Sequence, residues 1–279
     1  MPELPEVETV KRTLADQLTG EKITKVSIHY PGNIRQPEPE VFKQTLIGKE
    51  FLAIDRRGKF LLLTLSEGYV LVVHLRMTGQ LVLAHAMDGL AKHTHLVFSL
   101  SGERELRYAD QRKFGTIDLV SQTEMNKLKG LSELGMEPLS PDFTAERLAA
   151  VLQNKKRPIK NLLLDQTIVA GIGNIYADEI LFEAGIHPEK PAGELSPEEI
   201  SALWEAVPKM LNLGIQHRGT SIRNYVDGAG QQGGFQNLLR VYGRQGKPCR
   251  RCGATIRRTK VSGRGTYFCP GCQGHVEHR

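Results

Sequence analysis

The chain has 279 residues, 40% hydrophobic and 24% charged, a globular composition that leaves room for two or three modest domains and excludes wholesale disorder. The longest apolar runs, 60–63 and 69–73, fall far short of the roughly 20 residues a membrane helix needs, and the acidic, proline-containing start is no signal peptide. The expectation is a soluble intracellular protein, cytoplasmic and with no membrane partner. The formal charge of +6 is unevenly placed: from 244 to 279 nine Lys/Arg face one acid, Glu277, while the rest holds 28 basic and 30 acidic residues. A cationic tail on a near-neutral body points to a polyanion, since Lys/Arg that neutralise phosphates gain affinity by releasing counterions. A solvated basic tail with no ligand is the competing reading.

Residues 1–20 read as an amphipathic helix, with Leu4, Val7, Val10, Leu14 and Leu18 at three- and four-residue steps, Pro5 in the first turn and Gly20 at the C′ position. Removal of the initiator methionine, which a small second residue permits, would make Pro2 a secondary amine flanked by Glu3 and Glu6. Such an amine condenses with an aldehyde to an iminium, a strong electron sink, but only when it is neutral. An α-amino group titrates near about 8; a helix N-terminus disfavours its protonated form and nearby carboxylates favour it. Which prevails is open at this point. Glu3 is a candidate general acid and base, and Lys59 a further proton carrier. The plainer alternative is that Glu3, Glu6 and Glu8 merely complement the helix dipole.

From 22 to 120 the pattern changes to short apolar or alternating runs at 23–28, 51–54, 60–65, 69–75, 80–83, 95–100, 105–108 and 116–120, split by turn signals. This predicts an antiparallel β domain, a sandwich. Residues 121–141 mix Gly, Pro, Ser and charge and read as a linker. Helices follow over 144–153 and 159–166, and 168–174 opens a helix through Phe182 that Gly185 terminates. Ser196-Pro197-Glu198-Glu199 forms an N-cap with a capping box and starts a helix to about 217, with a kink possible at Pro208. The glycine-rich stretch 227–234 reads as a mobile loop. The turn at 171–174 aims backbone amides and a positive helix end outward, an anion seat or a simple turn between packed helices. Lys155, Lys156, Arg157 and Lys160 just upstream are either phosphate contacts or solvated charge.

All four cysteines lie in the basic tail, as Cys249-x2-Cys252 and Cys269-x2-Cys272 separated by 16 residues. Two such knuckles match a four-thiolate tetrahedral zinc site. Two disulfides are the alternative, disfavoured in a reducing compartment and by adjacent pairing. Some 36 residues with few large apolar side chains cannot fold on burial alone, so one structural Zn2+ would supply the folding energy, with no open coordination position. Between the knuckles, 257–268 reads as a β-hairpin with Arg264 at its tip, presented to phosphate. No organic cofactor is implied.

MPELPEVETV at 1–10, GKF at 58–60, HLRMTG at 74–79, KHTH at 92–95, the YADxRxFG pattern at 108–115, GIGNIYADEILF at 171–182, AGIHP at 184–188 and VYGRQGKPCRRCG at 241–253 resemble the bacterial formamidopyrimidine-DNA glycosylases, bifunctional 8-oxoguanine glycosylases and abasic-site lyases, from end to end. The resemblance implies an α+β multidomain fold. Its parts would be an N-terminal catalytic β-sandwich domain with an N-terminal helix (1–130), a helix–two-turn–helix domain with a flexible lesion-recognition loop (131–240) and a C-terminal zinc-ribbon finger (241–279). The partner would be duplex DNA containing an oxidised purine, held in the cleft between the halves by a monomer that associates with the nucleoid when bound.

Carried over by position, Pro2 would attack C1′ and Glu3 would assist base loss and ring opening. Lys59 would serve β-elimination, and Arg264 would grip phosphate and assist δ-elimination. Met77, Arg112 and Phe114 match the residues that fill the gap left by a flipped nucleotide, although for Met77 and Phe114 core packing is equally open. His74, His93, Lys156 and Asn174 resemble DNA contacts. Glu6, with Thr220, Ser221 and Tyr225 of the loop at 219–234, would face the extruded base. Two other readings remain: an endonuclease VIII-type enzyme for oxidised pyrimidines, and a non-catalytic DNA-binding protein built on a zinc ribbon.

Overall fold

The computed structural model of the protein describes residues 1–222 and 224–274. The last five residues of the expected finger, and Arg223 of the expected loop, lie outside the described residues. By its internal packing the chain divides into two compact units, one of 1–132 with 217–234 and one of 133–216 with the remainder.

The first unit begins with helix α1 (Leu4–Leu18). Glu3 takes its N-cap and Glu6 completes a capping box, Glu6 Oε2 accepting the Glu3 amide at 2.8 Å. The helix closes at Thr19, and Gly20, with φ +88°, turns the chain as a residue with a Cβ rarely could. Then come β1 (Ile23–Ile28), β2 (Ile34–Gln36), α2 (Pro39–Leu46), β3 (Phe51–Arg57), β4 (Phe60–Leu65), β5 (Tyr69–His74), β6 (Gly79–His85), β7 (Thr94–Leu100), β8 (Arg104–Asp110), β9 (Thr116–Ser121) and the short α3 (Gln122–Met125). All eight runs expected to be strands are strands.

They form a four-stranded sheet in the order β1-β7-β8-β6 and a five-stranded sheet in the order β2-β9-β5-β4-β3. Inward side chains of both sheets, such as Phe98, Leu106 and Tyr108 on one and Leu61, Leu63, Leu71 and Val73 on the other, share a core with Val7, Val10, Leu14 and Leu18 of α1. The fold is therefore a sandwich with the N-terminal helix sealed into it. Two features depart from the sequence reading. β2 pairs with β9 in parallel rather than antiparallel fashion, as an edge strand. The presumed linker starts inside the unit, because Met125 and Leu128 pack on Val70, Val72 and Val120, the outer face of the second sheet.

The second unit holds α4 (Ala145–Leu152), α5 (Ile159–Leu164), α6 (Asn174–Ala184), α7 (Pro197–Gln216), the hairpin β10 (Arg257–Val261) and β11 (Arg264–Phe268), and α8 (Pro270–Gln273). Thr144 caps α4 by accepting the Arg147 amide, and Ser196 and Glu199 form the expected capping box of α7, which runs unbroken in secondary structure past Pro208. Residues 176–182 of α6 are buried without interruption, and Gly185 ends the helix at φ +73°. One side of α6 faces the helices and Phe182 at its end faces the finger, sharing a small core with Val241, Cys249, Ile256 and Cys269. No helix among the described residues is long and apolar enough to cross a membrane.

Candidate active site and nucleic-acid interface

In the first unit the candidate catalytic side chains lie on two elements. Pro2 and Glu3 are buried at the head of α1, behind an exposed Met1. Lys59 is buried on the turn between β3 and β4. These two elements are tied together by an arginine the sequence reading passed over: Arg56 donates through Nε to Glu8 Oε2 at 3.0 Å and through Nη1 to the Gly58 carbonyl at 3.0 Å. Burial pushes the Glu8 carboxyl up, but the hydrogen bonds from Arg12 and Arg56 more than offset this and hold it below the ordinary carboxylate range. Glu8 thus does more than complement the helix dipole; it locks α1 against the turn that carries Lys59.

His74, at the end of β5, is buried, and its ring meets Phe60 edge-on with centroids 4.6 Å apart. Burial first, and then the positive charges of Arg76, Lys59 and Arg35, push its pKa down to about 3. Nδ1 accepts the Arg76 amide at 3.0 Å, so the proton of the neutral ring belongs on Nε2, which can donate to a phosphate oxygen without carrying charge.

Met77 and Phe114 are 40% and 54% exposed, which removes the core-packing alternative. They flank one guanidinium: Arg112 Nη1 lies 2.8 Å from Met77 Sδ, and its Cζ stacks 4.7 Å from the Phe114 ring centroid. The exposed trio is held from beneath by Asp110, which is almost wholly buried. Its carboxylate accepts from Thr78 Oγ1 at 2.5 Å, from the Gly115 amide at 2.7 Å and from the Arg112 amide at 3.2 Å. Asn33 supports the same turn, donating to the Gly115 carbonyl at 2.7 Å while its Oδ1 meets His95 Nδ1 at 2.7 Å. Asp110 and Asn33 were missed because their signal is a buried polar side chain between strands, which one-dimensional patterning does not reveal. His93 is half-buried at φ +67°, its carbonyl accepting the Asp110 amide.

The segment 217–234, expected to belong with the helices, packs on the first unit through hydrogen bonds to α1 and β6. Glu6 Oε1 accepts the Thr220 amide at 2.7 Å, the Tyr225 hydroxyl donates to the Glu6 carbonyl at 3.2 Å, and Gly228 is bonded to both Thr13 and Leu83. Gly219, at φ +80°, leaves room that a Cβ would fill within 2.9 Å of the Glu6 side chain. Asp227, fully buried, receives the Ala229 and Gln231 amides on Oδ1 and the Arg218 guanidinium on Oδ2, so the glycine-rich stretch is an ordered turn system. Ser221 Oγ donates to the Tyr225 carbonyl and accepts the Gly233 amide. The Ser221 hydroxyl therefore shapes the segment itself, while the Tyr225 hydroxyl ties it to α1.

In the second unit the finger hairpin turns at Ser262 and Gly263, both at positive φ, so Arg264 is the first residue of β11, exposed beside the tip. The next carbonyl, of Gly265, accepts from Asn174 Nδ2 at 3.0 Å and from Lys160 Nζ at 3.2 Å. Lys160, which the sequence left as a solvated or phosphate-binding charge, is fully buried in an ion pair with Asp178 at 2.6 Å. Lys156 is exposed on the turn joining α4 to α5. Part of the tail's positive charge is spent internally: Arg251 pairs with Glu183, and Arg244 donates to the Pro248 carbonyl.

The four cysteine sulfurs lie within 4.8 Å of one another, with Cys249 to Cys272 at 3.8 Å and Cys252 to Cys269 at 3.4 Å. Thiolates about 2.3 Å from a tetrahedral zinc sit about 3.8 Å apart, so the donor set and its spacing fit one structural zinc, and no pair is close enough to be a disulfide.

The comparisons with known proteins agree with this layout. Residues 1–117 match the formamidopyrimidine-DNA glycosylase N-terminal domain, 134–226 the H2TH domain of the same enzymes, and 246–274 a zinc finger found in FPG and IleRS. The formamidopyrimidine-DNA glycosylase of Pelotomaculum thermopropionicum is 53% identical over 98% of this chain and 99% of its own length. A Lactococcus lactis FPG mutant solved with DNA containing Fapy-dG superposes with a TM-score of 0.93 at 41% identity, covering 98% of this chain and 100% of that one. The wild-type Lactococcus lactis FPG, solved with DNA containing an oxidised pyrimidine, gives a TM-score of 0.92 at 40% identity over the same coverage. The chain belongs to the formamidopyrimidine-DNA glycosylase family.

Proposed function

We propose that this chain is a base-excision repair enzyme that flips oxidised purines out of duplex DNA, excises them through a Schiff base on Pro2, and cleaves the abasic strand by β,δ-elimination. The observation that carries the reading is the double role of Glu6. One of its oxygens binds the Glu3 amide beside Pro2 and the other binds the Thr220 amide of the glycine-rich segment. A reactive amine and a cover for an extruded base thereby meet at one carboxylate.

With Met1 removed, the neutral proline nitrogen attacks C1′ as the glycosidic bond breaks and the base takes up a proton. The amine then loses its proton and the C1′–O4′ bond opens, O4′ taking a proton from Glu3 and leaving an iminium between Pro2 and C1′. The resulting iminium acidifies the C2′ proton. Lys59 serves its removal as the 3′ phosphate departs, and a second elimination expels the 5′ phosphate, the step that the family resemblance assigns Arg264 to assist. Unstacking the nucleotide costs a few kcal/mol, offset by inserting Met77, Arg112 and Phe114, whose guanidinium can bond the orphaned cytosine. Neutral His74, with His93, Lys156 and Asn174, would hold the flanking backbone, and Glu6, Thr220, Ser221 and Tyr225 the pocket for the base. Cys249, Cys252, Cys269 and Cys272 would hold the zinc with no open coordination position, and its binding would supply the folding energy of the hairpin that carries Arg264. The setting would be the cytoplasm, with the enzyme on the nucleoid while bound.

Borohydride trapping on an 8-oxoguanine:cytosine duplex, with mass spectrometry of the adduct, tests this. The adduct is expected on Pro2; adduct-free protein, or a modified lysine instead, contradicts it. A thymine glycol duplex run in parallel should be cleaved more slowly, and the reverse order would favour the endonuclease VIII-type reading.

A further inference from the structure

A second anchorage of the segment 217–234 lies away from Glu6. Asn224 Nδ2 donates to Gln111 Oε1 at 2.8 Å, and the Asn224 carbonyl accepts from Gln80 Nε2. The two glutamines project from one place: Gln80 on β6 pairs with Ala109 on β8, and Gln111 follows β8 directly. Gln111 is also the residue between buried Asp110 and exposed Arg112, whose amide is fixed by Thr78 Oγ1 at 3.0 Å and by the Asp110 carboxylate. A pull on the Gln111 side chain is therefore one peptide from the turn that carries Arg112 and Phe114.

We infer that Gln80 and Gln111 clasp Asn224 so that seating of the glycine-rich segment over an extruded base is coupled to seating of Arg112 and Phe114 in the gap it leaves. The inference rests on the function proposed above. The contacts suit a reversible device. They are neutral, surface-exposed hydrogen bonds, individually weak, whereas the Glu6–Thr220 bond at the other end is buried. The clasp is thus the weaker of the two anchorages. Gln111 is a positioning residue, acting through Arg112 and Phe114.

The test compares single-turnover excision of 8-oxoguanine with cleavage of a preformed abasic duplex, which has no base to enclose and little stacking to overcome. Gln111→Leu and Asn224→Ala should each slow excision about fivefold, and the double variant should be no slower than either single one. Gln111→Glu keeps an acceptor for Asn224 Nδ2 and should restore most of the rate. All should cleave the abasic duplex at the wild-type rate. Equal losses on both duplexes, additive losses in the double variant, or no loss at all would overturn the clasp. A wild-type chain inactive on both duplexes would overturn the underlying reading instead.

Discussion

Burial decides the protonation of His74, and with it a pH dependence that belongs to one side chain. Its pKa is about 3 in the folded chain against 6.5 for the free group, so between those values the unfolded chain binds a proton that the folded one does not. Stability contributed by the neutral ring is complete above pH 6.5 and is lost as pH falls, by about 1 kcal/mol per pH unit. Glu8, whose pKa is lowered from 4.5, acts in the same direction at lower pH, while His95, also lowered by burial, and Asp178, pushed up to about 7, titrate in the same window. The histidine is therefore isolated by the difference between wild type and a His74 variant and not by the wild-type slope alone. Urea unfolding across that window should show a steeper loss for the wild type than for His74→Gln; parallel slopes would mean that the ring is protonated in the folded chain. At this scale the sequence supplied residue identities and motif positions but not their surroundings. Lys160 and Lys156 look alike in a basic run, yet one is sealed in an ion pair and the other is exposed, because only Lys160 lies on the inward face of α5.

At the scale of elements, the hairpin is docked by charge as well as by metal. Lys160 on α5 reaches Asp178 on α6, the Gly265 carbonyl and Thr266 Oγ1 at 2.8 Å, while the other oxygen of Asp178 accepts the Tyr267 amide. Three elements are pinned in one buried polar cluster. Lys160→Met should cost about 3 kcal/mol in urea unfolding, because it strands a buried carboxylate, and adding Asp178→Leu should recover much of that loss. A single variant as stable as the wild type would show that the pair contributes nothing to docking. Helices and strands with a clear period were legible in the sequence, including the glycines that end α1 and α6 and the capping box of α7. α2 was not, because only Phe42 and Leu46 of its eight residues are buried and it sits among strands. β2 was not, because its three residues bury none fully.

For the molecule as a whole, the sequence patterns separated the β-rich part from the helical part and marked the finger, and the residues carrying the family motifs lie where those parts place them. What stayed hidden was long-range: that residues 217–234, following the last long helix, return to the head of α1, and that Glu6 receives them. A contact between residues more than 200 positions apart leaves no local pattern to read. The account depends on Pro2 having a free nitrogen. The direct measurement is strand scission of an 8-oxoguanine duplex by the processed chain and by a variant in which one extra glycine is retained ahead of Pro2, with DNA binding followed alongside. The blocked variant should bind the duplex as the processed chain does, yet neither nick it nor form a borohydride adduct; nicking at the unblocked rate would contradict the account.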